Sequence, residues 1–196
     1  MKNLIEQKLL LEMTNFEIQD GGEQRTVGDI IEFKVKNILM SLSDDENIKK
    51  CLEPRSKKSI EDVTVIDNDD IKYYIDTKSH NVDSSFSMPN LTSVEKLRKL
   101  LLSKNGNLIY VFVSYRVSDK LVNIESIDVK YVWELSFDML RVGSLGKGQL
   151  QISNMNKAPI FTNIGKTEWF STLKSIVRKY HDDRIKMIEK DKLKWV

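Results

Sequence analysis

The chain has 196 residues, 40% apolar and 31% charged, with a net charge of +2, a composition expected of a soluble globular protein long enough for one substantial core. One cysteine, Cys51, excludes a disulfide framework, and one cysteine with two histidines excludes a structural zinc site. Lys2 falls too early for a signal peptide, and no apolar run approaches membrane-spanning length, so a cytoplasmic protein with no membrane partner is expected.

The first helix is predicted over residues 2–14, where leucines and Ile5 recur at helical spacing. Asp20-Gly21-Gly22 breaks the chain. Thr26 to Leu42 predicts a second helix, with Val27, Ile30, Ile31, Val35, Ile38, Leu39 and Leu42 three and four apart and Glu32 on its polar side. Ser43 to Lys58 is polar, contains Pro54 and predicts a loop. Val63 to Ile66 and Ile71 to Thr77 are rich in β-branched and aromatic residues, with the turn-forming Asp67-Asn68-Asp69-Asp70 between them. A hairpin is predicted there, and a loop from His80 to Asn90. Thr92 or Ser93 is placed to cap a helix to about Lys104, ended by Gly106. The apolar run Leu108 to Tyr115 predicts a buried central strand, parallel to the strand before it because a helix intervenes. Leu121 to Val132 predicts a further strand or hairpin. Residues 141–165 are rich in Gly, Lys, Asn and Gln. Thr167 is placed to cap a last helix to about Lys192, with Trp169, Phe170, Leu173, Ile176, Val177 and Tyr180 on its apolar face.

Charge divides this order. Residues 1–140 carry a net −5 and residues 141–196 a net +7, as suits a metal site followed by a polyanion-binding region.

The hairpin concentrates the chemistry. Pairing Asp67 with Ile71 across a three-residue loop continues as Ile66 with Lys72 and ends with Asp62 opposite Asp76. Opposed residues on antiparallel strands have Cβ atoms about 5 Å apart. Lys78, two residues beyond Asp76, shares its face. Two carboxylates so close repel, and a divalent cation explains the placement. Acid-x-Lys by itself is weak: it also occurs at Glu6, Glu32, Asp70 and Asp128. Glu6 and Glu32 lie on helices, where residues two apart do not share a face, Asp70 belongs to the turn, and Asp128 has no acid on the preceding strand. Asp76 alone has an acid in register across a hairpin.

Asp62 with Asp76-Thr77-Lys78, followed by a helix and a strand, resembles the PD-(D/E)-x-K nucleases, and among them the type II restriction endonucleases. The Arg25 to Glu32 helix resembles the first helix of that group, and Met88-Pro89-Asn90-Leu91 resembles a loop of some restriction enzymes. Glu61 stands where the family name has proline. The resemblance covers residues 25–115. It implies an α/β (α+β) restriction-endonuclease-like core, a central mixed sheet flanked by helices, in one domain over 1–196. Within it, 1–42 holds the N-terminal helices, 59–132 the catalytic sheet, 141–165 a DNA-contacting segment and 167–192 the C-terminal helix. Asp62 and Asp76, with the Thr77 carbonyl, are expected to bind Mg²⁺, because hard carboxylate oxygens select a hard cation. Lys78 and Glu32 complete the catalytic set. His80, Asn81, Arg141, Lys147, Gln149, Gln151 and Asn154 are expected to contact DNA, since such groups read phosphates and base edges. The expected activity is Mg²⁺-dependent hydrolysis of double-stranded DNA at a short specific sequence by a homodimer, with a cognate DNA methyltransferase in the same cell. The alternatives are a repair or resolvase-type nuclease on the same core, or a non-catalytic DNA-binding module.

Overall fold

The computed structural model describes residues 1–18, 24–56, 59–85, 88–103, 105–143, 148–153 and 160–195. Helix α1 (Lys2–Glu12) and a two-residue strand β1 (Phe16–Glu17) precede helix α2 (Gln24–Met40) and a 3-10 turn at Ser41–Asp44. Strands β2 (Ile48–Leu52), β3 (Val63–Asp67), β4 (Lys72–Asn81) and β5 (Asn90–Ser93) lead to helix α3 (Val94–Leu102). Then come β6 (Gly106–Ser118), β7 (Leu121–Tyr131), β8 (Leu140–Gly143), β9 (Gln149–Ile152) and helix α4 (Lys166–Lys192). Among the described residues no helix is long and apolar enough to cross a membrane.

Six strands form one mixed sheet in the order β1-β7-β6-β4-β3-β2, and β5-β9-β8 form a smaller antiparallel sheet. β4 and β6 run parallel over ten paired positions, Lys72 with Gly106 to Asn81 with Tyr115, as α3 between them requires. β6 is buried on both faces, which accounts for its unbroken apolar run. Ile109, Val111 and Val113 pack with Ile5, Leu9, Val27, Ile31, Val35 and Leu39 of α1 and α2. Leu108, Tyr110 and Phe112 pack on the other side with Leu97, Leu101, Leu150, Trp169 and Leu173. Each such side chain fully buried contributes about 1.5–3 kcal/mol.

The hairpin register follows the expected one from Ile66 with Lys72 to Val63 with Ile75. The expected last pair, Asp62 with Asp76, does not continue it, because β3 begins at Val63 and the Asp62 N–H donates to the Ile75 carbonyl instead. The turn has a local cause. Asp67 Oδ1 accepts from the backbone N–H of Asp69 (3.0 Å) and Ile71 (2.9 Å). Asp70 takes the left-handed conformation, φ 59°, which aspartate tolerates better than most residues.

Three expected elements are corrected, and 141–165, for which no element was predicted, gains parts of two strands. Residues 48–52 are a strand, not loop. A bulge between Ile48 and Lys50 puts buried Ile48 and Cys51 three apart and breaks the period-two pattern. β4 runs on through His80 and Asn81, which were expected in a loop. Part of 141–165 forms β8 and β9, with Leu150 and Ile152 inward and Gln149 and Gln151 on the opposite face. α4 starts at Lys166 with Gly165 at its cap position, so Thr167 lies in the first turn and does not cap it.

Candidate active site

Strand alternation places Tyr74, Asp76 and Lys78 on one face of β4, and the parallel register sets Asp76 beside Tyr110 and Lys78 beside Phe112. These polar groups stand at the edge of an apolar layer, and a cavity of about 510 Å³ opens over them.

Asp62 immediately precedes β3. Its backbone N–H donates to the Ile75 carbonyl (2.8 Å), and its Oδ2 accepts from the Thr77 N–H (2.7 Å). The carboxylate is thus drawn across the hairpin toward β4. Lys78 Nζ lies 2.6 Å from Asp76 Oδ2, an ionic contact outside hydrogen-bond geometry, so this buried oxygen has no aligned donor. Burial is the largest influence on Asp76 and pushes its acid up to about 7, with Asp62 adding to the rise and Lys78 opposing it.

Glu32 comes from another element. Gly28, one turn before it on α2, is where the helix meets β4: a Cβ there would sit 2.9 Å from Ser79 Oγ. The close approach brings Glu32 to the cavity mouth. Its acid is raised, by partial desolvation first and then by the neighbouring Asp62. Gly28→Val is expected to cost about 1–3 kcal/mol of unfolding free energy by overpacking. Urea titration measures it, and Ser79→Ala should recover part of the loss in the double variant. An additive double variant would mean that the two positions do not meet.

Glu32, Asp62, Asp76 and Lys78 therefore face one cavity, together with Glu61 and Lys96. Glu61 and Lys96 had no signal in the sequence beyond their charge. With all four acids ionised they exceed the two lysines by two charges, which matches one divalent cation. Among the described residues no three His, Cys, Asp or Glu side chains close into a ready-made metal cage. The donor set still fits a hard cation: carboxylate oxygens whose acids are raised by burial first and by the neighbouring carboxylate second. Tyr110, hidden in the sequence as one more apolar strand residue, is fully buried beside Asp76 with its hydroxyl unpartnered.

The other expected residues separate. Thr77 is buried, with its backbone N–H given to Asp62. His80 and Asn81 are 5% and 9% exposed. Burial lowers the His80 pKa, and Asn81 Oδ1 accepts from the Asp83 N–H. Gln149 lines the cavity. Arg141 is exposed and Gln151 is 5% exposed, so Gln151 reaches a ligand only through its neighbours. Lys147 and Asn154 lie outside the described residues. Asp128 faces Phe112 across β6 and β7, with no acid opposite.

No protein-family model matches the chain, and no curated protein matches its sequence. Among solved structures it is similar to NlaIV restriction endonuclease, with a TM-score of 0.57 and 17% identity, over 90% of this chain and 78% of the other. The fold is restriction-endonuclease-like: a mixed sheet flanked by helices. At that identity the likeness extends to the fold alone.

Proposed function

We propose that this chain, as one nuclease domain over 1–196, is a Mg²⁺-dependent restriction endonuclease that cleaves double-stranded DNA at a short specific sequence. The observation that carries the reading is the convergence of Glu32, Asp62, Asp76 and Lys78 on one cavity at the hairpin end. The restriction-endonuclease-like fold supports it.

Asp62 and Asp76, with the Thr77 carbonyl, would hold the cation, and Glu32 stands at the mouth of the same site. A bound Mg²⁺ supplies neutralisation of phosphate charge and acidification of water. The reaction is in-line hydrolysis: a P–O bond forms to water, the P–O bond to the leaving oxygen breaks, the water proton passes to a base or to solvent, and the leaving oxygen takes up a proton in its place. Lys78 Nζ, on the same strand face as Asp76, is placed to orient the water and to offset charge on the pentavalent phosphorus. Burial makes the Asp76 charge costly, and the Lys78 ammonium 2.6 Å away offsets only part of that cost, so a divalent cation at the same carboxylate would stabilise its ionised form. Two cuts at a palindrome require two sites related by a two-fold axis, so a homodimer is part of the reading, as is a DNA methyltransferase that protects the host sequence.

Purified protein incubated with sequenced plasmid DNA and Mg²⁺ is expected to give discrete fragments with defined ends, and none when Ca²⁺ replaces Mg²⁺. Nicking or branch-dependent cutting would favour a repair or resolvase-type nuclease instead. Absence of cleavage with both Mg²⁺ and Mn²⁺ would leave a DNA-binding module without activity.

A further inference from the structure

The small sheet carries a polar row that the catalytic reading does not use. On β9, Leu150 and Ile152 point into the core, leaving Gln149 and Gln151 on the opposite face. In register, Gln151 lies between Asn90 of β5 and Arg141 of β8. The three side chains are joined across all three strands. Arg141 Nε donates to Gln151 Oε1 (3.1 Å), and Gln151 Nε2 donates to Asn90 Oδ1. Gly143 gives the Gln151 amide its room, since a Cβ there would meet Oε1 at 2.2 Å. The chain has one polarity: Asn90 accepts, so the Gln151 amide must turn its oxygen to Arg141.

This order leaves the outer edge of the guanidinium unused. Nε is held by Gln151, and among the described residues neither terminal nitrogen of Arg141 has a partner. Two parallel N–H groups on a side chain fixed at its inner end match the paired O6 and N7 acceptors of guanine in the major groove. Fixing the side chain beforehand lowers the entropy lost on binding. The same face leads to the cavity, because Gln149 and Ser93, paired in the next row, line it.

Building on the nuclease reading, we infer that the polar face of the β5-β9-β8 sheet is a base-reading surface, with Arg141 the contact to a guanine of the recognition sequence and Gln151 and Asn90 its positioning residues. A lone surface arginine would serve any phosphate. An arginine anchored through a buried glutamine is built for one direction of approach.

The test starts from the mapped cleavage site of the unaltered protein, which must itself cut with Mg²⁺. If it does not, the nuclease reading has failed and this inference falls with it. Given cutting, binding is measured in Ca²⁺ by fluorescence anisotropy, on the specific duplex and on duplexes with each base pair changed singly. Arg141→Ala is expected to lose about 10- to 100-fold of the preference for the specific duplex, at one G·C position. Affinity for random duplex should change little. Asn90→Ala should show the same positional loss in weaker form, and Asn90→Asp, which keeps the acceptor, should restore it. Circular dichroism checks that each variant is folded. An Arg141→Ala protein whose preference is unchanged at every position overturns the assignment. So does a loss that falls equally on random DNA, which would make Arg141 a phosphate contact.

Discussion

Asp76→Asn is expected to reduce Mg²⁺-dependent cleavage by about 10³-fold or more, the scale on which loss of a charge acting in the transition state is felt. Asparagine keeps the shape and removes the charge. The buried Oδ2 that lacks an aligned donor then has no anion to offer a cation. Asp62→Asn should act alike, because its carboxylate is already fixed by the Thr77 N–H and cannot be replaced by a neighbour. Lys78→Ala should leave cation binding in place and lose the step in which the ammonium orients water. In all three, binding of the specific duplex measured without Mg²⁺ should persist: the two Asp→Asn changes lower the repulsion of phosphate, and Lys78→Ala removes one of many contacts spread along the duplex. Single-turnover cleavage and anisotropy separate the two effects. Asp76→Asn cutting within about tenfold of the parent would remove Asp76 from the site.

The second large effect is on stability. Burial raises the Asp76 acid to about 7, against an ordinary carboxylate value near 4 in the unfolded chain. Between those values the folded protein holds a proton that the unfolded chain has released. Stability from this group therefore falls as pH rises through that window, and the cost is complete above about 7. Each pH unit separating the folded from the unfolded value corresponds to about 1.4 kcal/mol, so the cost is on the order of a few kcal/mol. Without divalent cation the parent protein should thus lose melting temperature from pH 5 to pH 8 relative to Asp76→Asn. Mg²⁺ at pH 8 should return it, by about 2.7 kcal/mol at a concentration 100 times the dissociation constant. The comparison with Asp76→Asn cancels groups titrating elsewhere, such as His80, whose lowered pKa acts in the opposite sense. A parent and variant with parallel melting curves across this range, and no difference in their response to Mg²⁺, would show that Asp76 carries no electrostatic cost and binds no cation.

The hairpin was legible from its own residues because every determinant is local. Asp67 holds the turn with its own side chain, and strand period two carries the register from there to Val63 and Ile75, next to Asp62 and Asp76. The parallel placement of β6 followed from the intervening α3 in the same local way. What could not be read was set by partners far along the chain. β2 hides because its bulge shifts Cys51 out of alternation with Ile48. The small sheet joins Asn90 to Gln151 and Arg141, three segments whose separate compositions say only that they are polar. His80 and Asn81 looked available in a polar stretch, yet β4 continues through them and buries both.

Sequence alone therefore pointed to two acids and a lysine at one end of a hairpin, since a turn and two strands suffice to bring their segments together. Tertiary structure decided what surrounds them: the approach of α2 at Gly28 that delivers Glu32, the layer that buries Asp76 against Tyr110, and the row that anchors Arg141. Burial and the pairing of distant strands depend on how whole elements pack, and no short stretch of residues encodes that.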